Sequence, residues 1–138
     1  MVASDIPAVA ALERACFSQP WSERVLEGEM KNPNSIFFVA EETELVGYIG
    51  MQHILDEGYL ANVAVDSAYR RSGVGTALLQ RLLAFAQQEK LAFITLEVRQ
   101  SNQPAIRFYQ KYGFEVVGRR RNFYESPTED ALLMTKFL

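Results

Sequence analysis

Residues 59 to 76 constrain the chain more than any other stretch, because a β-favourable run breaks there into a glycine turn and restarts as a helix. Tyr59, Leu60, Asn62, Val63, Ala64 and Val65 form the run, bounded by Gly58 and by the Asp66-Ser67 turn signal. Arg70-Arg71-Ser72-Gly73-Val74-Gly75-Thr76 follows. Two glycines one residue apart let the backbone come close to a bulky anion, and the free N–H groups of the helix that follows can bond its oxygens. The stretch predicts a phosphate cradle. Two common cradles are excluded by residue: no Lys follows as a Walker A loop requires, and Leu78 stands where a dinucleotide fingerprint needs its third glycine.

At 138 residues, 49% apolar and 22% charged, the chain predicts one globular domain spanning residues 1–138. No apolar run approaches the roughly 20 residues of a membrane span, and no leader-like segment opens the chain, so a cytoplasmic protein without membrane contact is expected. The single cysteine, Cys16, excludes an internal disulfide framework and a cysteine cluster for zinc. A net charge of −3 argues against direct nucleic-acid binding despite the basic run Arg119 to Arg121, and suits a cationic substrate.

Ile6, Val9, Ala10, Leu12, Glu13 and Cys16 recur at helical spacing and predict a first helix over 5–16, capped by Ser4 or Asp5. A break at Phe17 to Trp21 leads to Ser22 as N-cap of a second helix ending at Met30. Strands are expected at 36–41 and 45–55, and with the 59–65 run they make an antiparallel meander. The helix over 73–89 should bury Val74, Leu78, Leu82 and Phe85. Strand 93–98 must then return parallel to the 59–65 run, because a whole helix separates them. Ser101 or Asn102 caps a further helix closed by Gly113, and strands near 114–120 and 131–137 flank a loop over 121–130. The class is α/β with a mixed sheet.

The pattern Arg70-x-x-Gly73-x-Gly75, after a β-run and opening an amphipathic helix, resembles the pyrophosphate loop of the GCN5-related N-acetyltransferase superfamily. Leu96-Glu97-Val98-Arg99, Ser101-Asn102, Ala105-Ile106-Arg107-Phe108-Tyr109 and Tyr112-Gly113-Phe114 resemble the second half of that core. With Pro20-Trp21-Ser22 near the start, and Arg120-Asn122-Phe123-Tyr124 and Glu129-Asp130-Ala131 near the end, nearly the whole chain is similar to the RimI-like ribosomal-protein-alanine N-acetyltransferases. The resemblance implies a mostly antiparallel mixed sheet with a splayed parallel pair of strands and flanking helices. It also implies acetyl-coenzyme A bound by Val63, Ala64, Val65, Arg70, Arg71, Ser72, Gly73, Val74, Gly75, Thr76 and Asn102, with no metal. Trp21 and Tyr124 would wall the acceptor side. The chain departs from the family in lacking a full strand before the first helix, and in having Phe123 where the family often has a second tyrosine.

Acetyl transfer from a thioester needs a neutral amine, a stabilised oxyanion and a proton for the departing thiolate. An α-amine has a pKa of about 7.7 to 8.0, so much of it is ammonium at neutral pH and a carboxylate must take its proton. Glu97 matches the family's base, Tyr109 its acid, and N–H groups near Val63 to Val65 its oxyanion donors. The expected acceptor is a protein N-terminus, the alanine of a small-subunit ribosomal protein, and the expected state is a monomer. The alternatives are an acetyltransferase for another N-terminus or a small amine, and a non-catalytic acyl-coenzyme A-binding module.

Overall fold

The chain enters through a 3-10 turn at Ala3–Asp5 and builds α1 (Ile6–Cys16) and α2 (Glu23–Met30) before any strand. Then follow β1 (Ser35–Glu41), β2 (Leu45–Ile54), β3 (Glu57–Val65), α3 (Val74–Gln88), β4 (Phe93–Arg99), α4 (Gln103–Lys111), β5 (Glu115–Tyr124) and β6 (Glu129–Phe137). These elements belong to a computed structural model that describes all 138 residues. One six-stranded sheet runs in the order β1-β2-β3-β4-β6-β5. Every neighbouring pair is antiparallel except β3 and β4, which the α3 crossover makes parallel as expected.

The parallel pair is the feature that creates a site. Its ladder joins only Glu57 to Phe93, Gly58 to Ile94 and Tyr59 to Thr95, although β3 runs on to Val65 and β4 to Arg99. A bulge assists the separation: β3 pairs Leu60 with Met51 and Asn62 with Gly50, which leaves Ala61 as an extra residue that bends the strand. Beyond Tyr59 the two strands splay, and the gap between them is the floor of the cleft described below.

Alternation along the strands sorts side chains onto two cores, one on each face of the sheet. Ile49, Met51, Leu60, Ile94, Leu96 and Val98 pack with Leu78, Leu79 and Leu82 of α3 and Ile106 of α4. Phe37, Tyr48 and Ala64 face the other way, against Val9, Ala10, Leu12 and Leu26 of α1 and α2.

Three local expectations need correction. Asp5 caps α1 by position but not through its side chain, because its carboxylate instead accepts the Val2 N–H at 2.8 Å. The buried stripe of α3 is Leu78, Leu79, Leu82 and Ala86, with Val74 and Phe85 only partly covered. The expected loop over 121–130 is mostly hairpin, since β5 extends to Tyr124 and β6 starts at Glu129. Asn122, at φ +49, absorbs the irregularity, and its N–H donates to Asp130 Oδ1 at 2.9 Å. Ser22 and Asn102 cap as expected, accepting the N–H groups of Val25 and Ala105 at 3.2 Å each.

Candidate active site

Two cavities meet where β3 and β4 part. One, about 650 Å³, opens between the start of α3 and the start of α4. Val63, Ala64, Val65, Arg70, Arg71, Gly73, Gly75, Thr76 and Asn102, residues that the resemblance assigns to the cofactor, line it. Arg71 at φ +64 and Gly73 at φ +90 turn the backbone sharply into α3, which glycine does without strain. The first helical bond there runs from the Ala77 N–H to the Gly73 carbonyl at 2.9 Å. The N–H groups of Val74, Gly75 and Thr76 therefore have no acceptor within the helix and are available to an anion. Two predicted residues contribute no side chain to this cavity. Ser72 turns its hydroxyl onto the Tyr69 carbonyl, and Val74 packs against Gly47 and the core.

The second cavity, about 520 Å³, holds Trp21, Glu97 and Tyr124. Tyr109 lines both cavities, as do Cys16, Val63 and Asn102. Only 8% of Tyr109 is exposed, yet its hydroxyl makes no hydrogen bond to the protein, at a residue that lines both cavities. Burial, and after it the neighbouring Tyr124, pushes its pKa well above the ordinary phenol value. The phenol therefore stays protonated across the physiological range.

Glu97 lies in the cleft with a side chain 7% exposed, so it is not a surface-facing strand residue. Oε1 is 3.1 Å from Arg120 Nε, and Oε2 accepts the Tyr59 hydroxyl. That hydroxyl is itself held protonated, its pKa raised by burial and then by Glu97. Tyr124 is pushed up to about 12 by burial and then by Glu97. The carboxylate thus sits among phenols that remain neutral, with one cation to balance it. Phe123 lines the same cavity and meets the Tyr124 ring edge-on at 5.0 Å.

Several lining residues escaped the sequence reading. Glu13, only 1% exposed, accepts from Asn62 Nδ2, from the Tyr48 hydroxyl and from the Trp21 N–H at 3.4 Å. It joins α1, β2, β3 and the Trp21 loop at the second cavity. Burial raises its pKa, against the pull of those three hydrogen bonds. Its place on the apolar stripe of α1 was the available signal, because a carboxylate there must find buried donors. Cys16, expected to pack on that stripe, is part-exposed; its Sγ is 3.6 Å from the Val65 carbonyl oxygen.

The raised Glu13 pKa has a measurable sign. Between the ordinary value of 4.5 and the raised one, the native state keeps a proton that the unfolded chain has released. This contribution to stability is full below the ordinary value and is lost as pH rises through the folded pKa. Urea unfolding across that range should show the stability difference between wild type and Glu13→Gln shrinking as pH rises. A difference independent of pH would contradict the buried-acid assignment.

The acetyltransferase (GNAT) family model matches residues 6–114. The chain is 35% identical over 133 residues to the ribosomal protein bS18-alanine N-acetyltransferase of Escherichia coli K12, covering 95% of this chain and 90% of that one. The crystal structure of the Escherichia coli ribosomal-protein-S18-alanine N-acetyltransferase superposes with a TM-score of 0.92 at 33% identity, over 99% of this chain and 90% of that one. Ard1 from Thermoplasma volcanium superposes with a TM-score of 0.93 at 28% identity, over 100% and 94%. With the family model spanning most of the chain and a relative 35% identical over 133 residues, the chain belongs to the acetyltransferase (GNAT) family.

Proposed function

We propose that the protein transfers the acetyl group of acetyl-coenzyme A to the N-terminal α-amine of a protein, the alanine of a small-subunit ribosomal protein. The observation that carries this reading is the unpartnered Tyr109 hydroxyl at the meeting point of two cavities. One cavity has the anion cradle and the other has the buried carboxylate. Similarity to the Escherichia coli enzyme supports the choice of acceptor.

In this reading the N–H groups of Val74, Gly75 and Thr76, with Arg70 and Arg71, hold the pyrophosphate of acetyl-coenzyme A. Val63 to Val65, which no longer pair with β4, offer main-chain N–H groups to the thioester carbonyl and to the oxyanion that forms there. Asn102 uses its side-chain oxygen as the α4 cap and has its amide N–H groups for the cofactor arm. Glu97 takes the amine proton, directly or across one water, and Tyr109 gives its proton to the departing thiolate. Trp21 and Tyr124 wall the entering peptide.

Gly75→Val tests the cradle cleanly. A Cβ at Gly75 meets nothing nearer than the Phe108 ring at 3.7 Å, so the empty loop accepts it, whereas Gly73 at φ +90 would be strained by any side chain. Calorimetry should show acetyl-coenzyme A affinity falling at least about tenfold, or ~1.4 kcal/mol, in a folded variant. Unchanged affinity would remove the loop from the site.

The acceptor is tested by initial rates over peptides and small amines. Peptides beginning with alanine and carrying downstream arginines should outperform free amino acids and polyamines, with added salt weakening their use. Trp21→Ala should raise the peptide KM and leave acetyl-coenzyme A affinity unchanged. Efficient turnover of a small amine with none of any peptide would replace this acceptor with a metabolite.

A further inference from the structure

We propose that Arg99 is a positioning residue that locks the two walls of the acceptor cleft to each other and to the sheet, so that it sets acceptor affinity rather than the rate of chemistry. The proposal rests on the acceptor reading of the cavity that contains Glu97 and Trp21. Arg99 is the last residue of β4, two after Glu97 and on the same face, and its side chain is 23% exposed.

Its guanidinium is engaged on nearly every side. Nη1 donates to the Pro127 carbonyl at 2.9 Å and to Glu129 Oε1 at 3.2 Å. Nη2 donates to the Glu125 carbonyl at 2.8 Å and to Ser18 Oγ at 3.5 Å. The guanidinium carbon also lies 4.5 Å from the centre of the Tyr124 ring. Pro127, Glu125 and Tyr124 belong to the β5–β6 hairpin end, and Ser18 to the loop between α1 and α2 that carries Trp21. A single planar fork therefore spans both walls, a geometry that guanidinium allows and ammonium does not.

The hairpin end needs this support. Its ladder is irregular between Arg120 and Tyr124, and Tyr124 with Glu129 forms its last pair. Two carbonyls of the turn, those of Glu125 and Pro127, point at Arg99 rather than at another strand. Glu129 carries the connection further, because its Oε2 accepts the Ser101 N–H at 2.6 Å, one residue before the Asn102 cap of α4. The wall that would hold the acceptor is thus tied to the helix that carries Tyr109. Without the fork the turn keeps its strands but loses its fixed distance from the Trp21 loop.

The experiment compares Arg99→Gln, Arg99→Lys and Glu129→Gln with wild type on an alanine-starting peptide. Arg99→Gln should raise the peptide KM by about tenfold or more, with kcat within about threefold and acetyl-coenzyme A affinity within about twofold. Arg99→Lys keeps the charge and should recover less than half of that loss on a logarithmic scale, since geometry rather than charge is at stake. Glu129→Gln weakens the same clamp from the hairpin side without altering β4, and should raise KM in the same direction even if Arg99→Gln does not fold. Amide hydrogen exchange over residues 122–129 should quicken in each variant that raises KM. Unchanged KM in the folded variants, or a fall in kcat alone, overturns the proposal while peptide acetylation by wild type leaves the acceptor reading standing. A wild-type protein inert toward every peptide overturns that reading and the clamp with it.

Discussion

Tyr109→Phe should lower kcat by about 10² or more while leaving the fold and acetyl-coenzyme A affinity intact. The substitution removes one oxygen that makes no hydrogen bond to the protein, so nothing in the resting molecule is broken. The ring keeps its edge-on contacts with Phe108 and Phe114 at 5.3 and 5.6 Å. What is lost is a proton donor at the junction of the two cavities. A thiol has a pKa near 8.5 and an ordinary phenol near 10, and burial moves Tyr109 higher still. The acid therefore stays loaded, and in the proposed mechanism its O–H hydrogen-bonds the sulfur more strongly as negative charge grows there, before the proton passes to the thiolate. The wild-type pH profile carries the same signature: kcat/KM should rise to a plateau as the amine loses its proton, with no falling limb below about pH 10. A falling limb near pH 8 to 9, or a Phe variant with wild-type kcat, would remove Tyr109 from the chemistry.

Glu97→Gln should also lower kcat/KM by about 10² at neutral pH, and the loss should shrink as pH rises past the acceptor amine's own pKa. Below pH ~8 the amine arrives as ammonium and needs a base, whereas above it solvent has already done the work. Glutamine retains an oxygen for the Tyr59 hydroxyl but cannot balance Arg120, so the variant separates charge from shape. Initial rates between pH 6 and 10 measure the recovery. A deficit that stays constant across that range would show that Glu97 orders the cleft through Arg120 and Tyr59 rather than moving a proton.

Local features were the ones legible from the residues alone. The cradle is contiguous, Arg70 to Thr76, so its glycines and the following helical stripe could be read together. The parallel return of β4 followed from the length of α3 between the strands. Glu97 and Tyr109 were identified by resemblance, and both line the cavity that also holds Trp21 and Tyr124. The features that were missed depend on distant pairing. Glu13 meets Tyr48 and Asn62 at separations of 35 and 49 residues, and Arg99 meets Ser18 across 81. No local pattern encodes such partners. The hairpin end was read as a loop because Arg121 and Asn122 interrupt alternation, and β5, an edge strand exposed along most of its length, carries little apolar signal.

The atom that receives the acetyl group distinguishes an N-terminal acetyltransferase from an enzyme for side-chain or small amines. The measurement is tandem mass spectrometry of a single alanine-starting peptide that also contains an internal lysine, incubated with the protein and acetyl-coenzyme A. Enzyme-dependent acetylation confined to the alanine α-amine, and lost in Tyr109→Phe at matched times, is the predicted result. Acetyl found on the lysine side chain, or equal modification of the α-amine without enzyme, would contradict it.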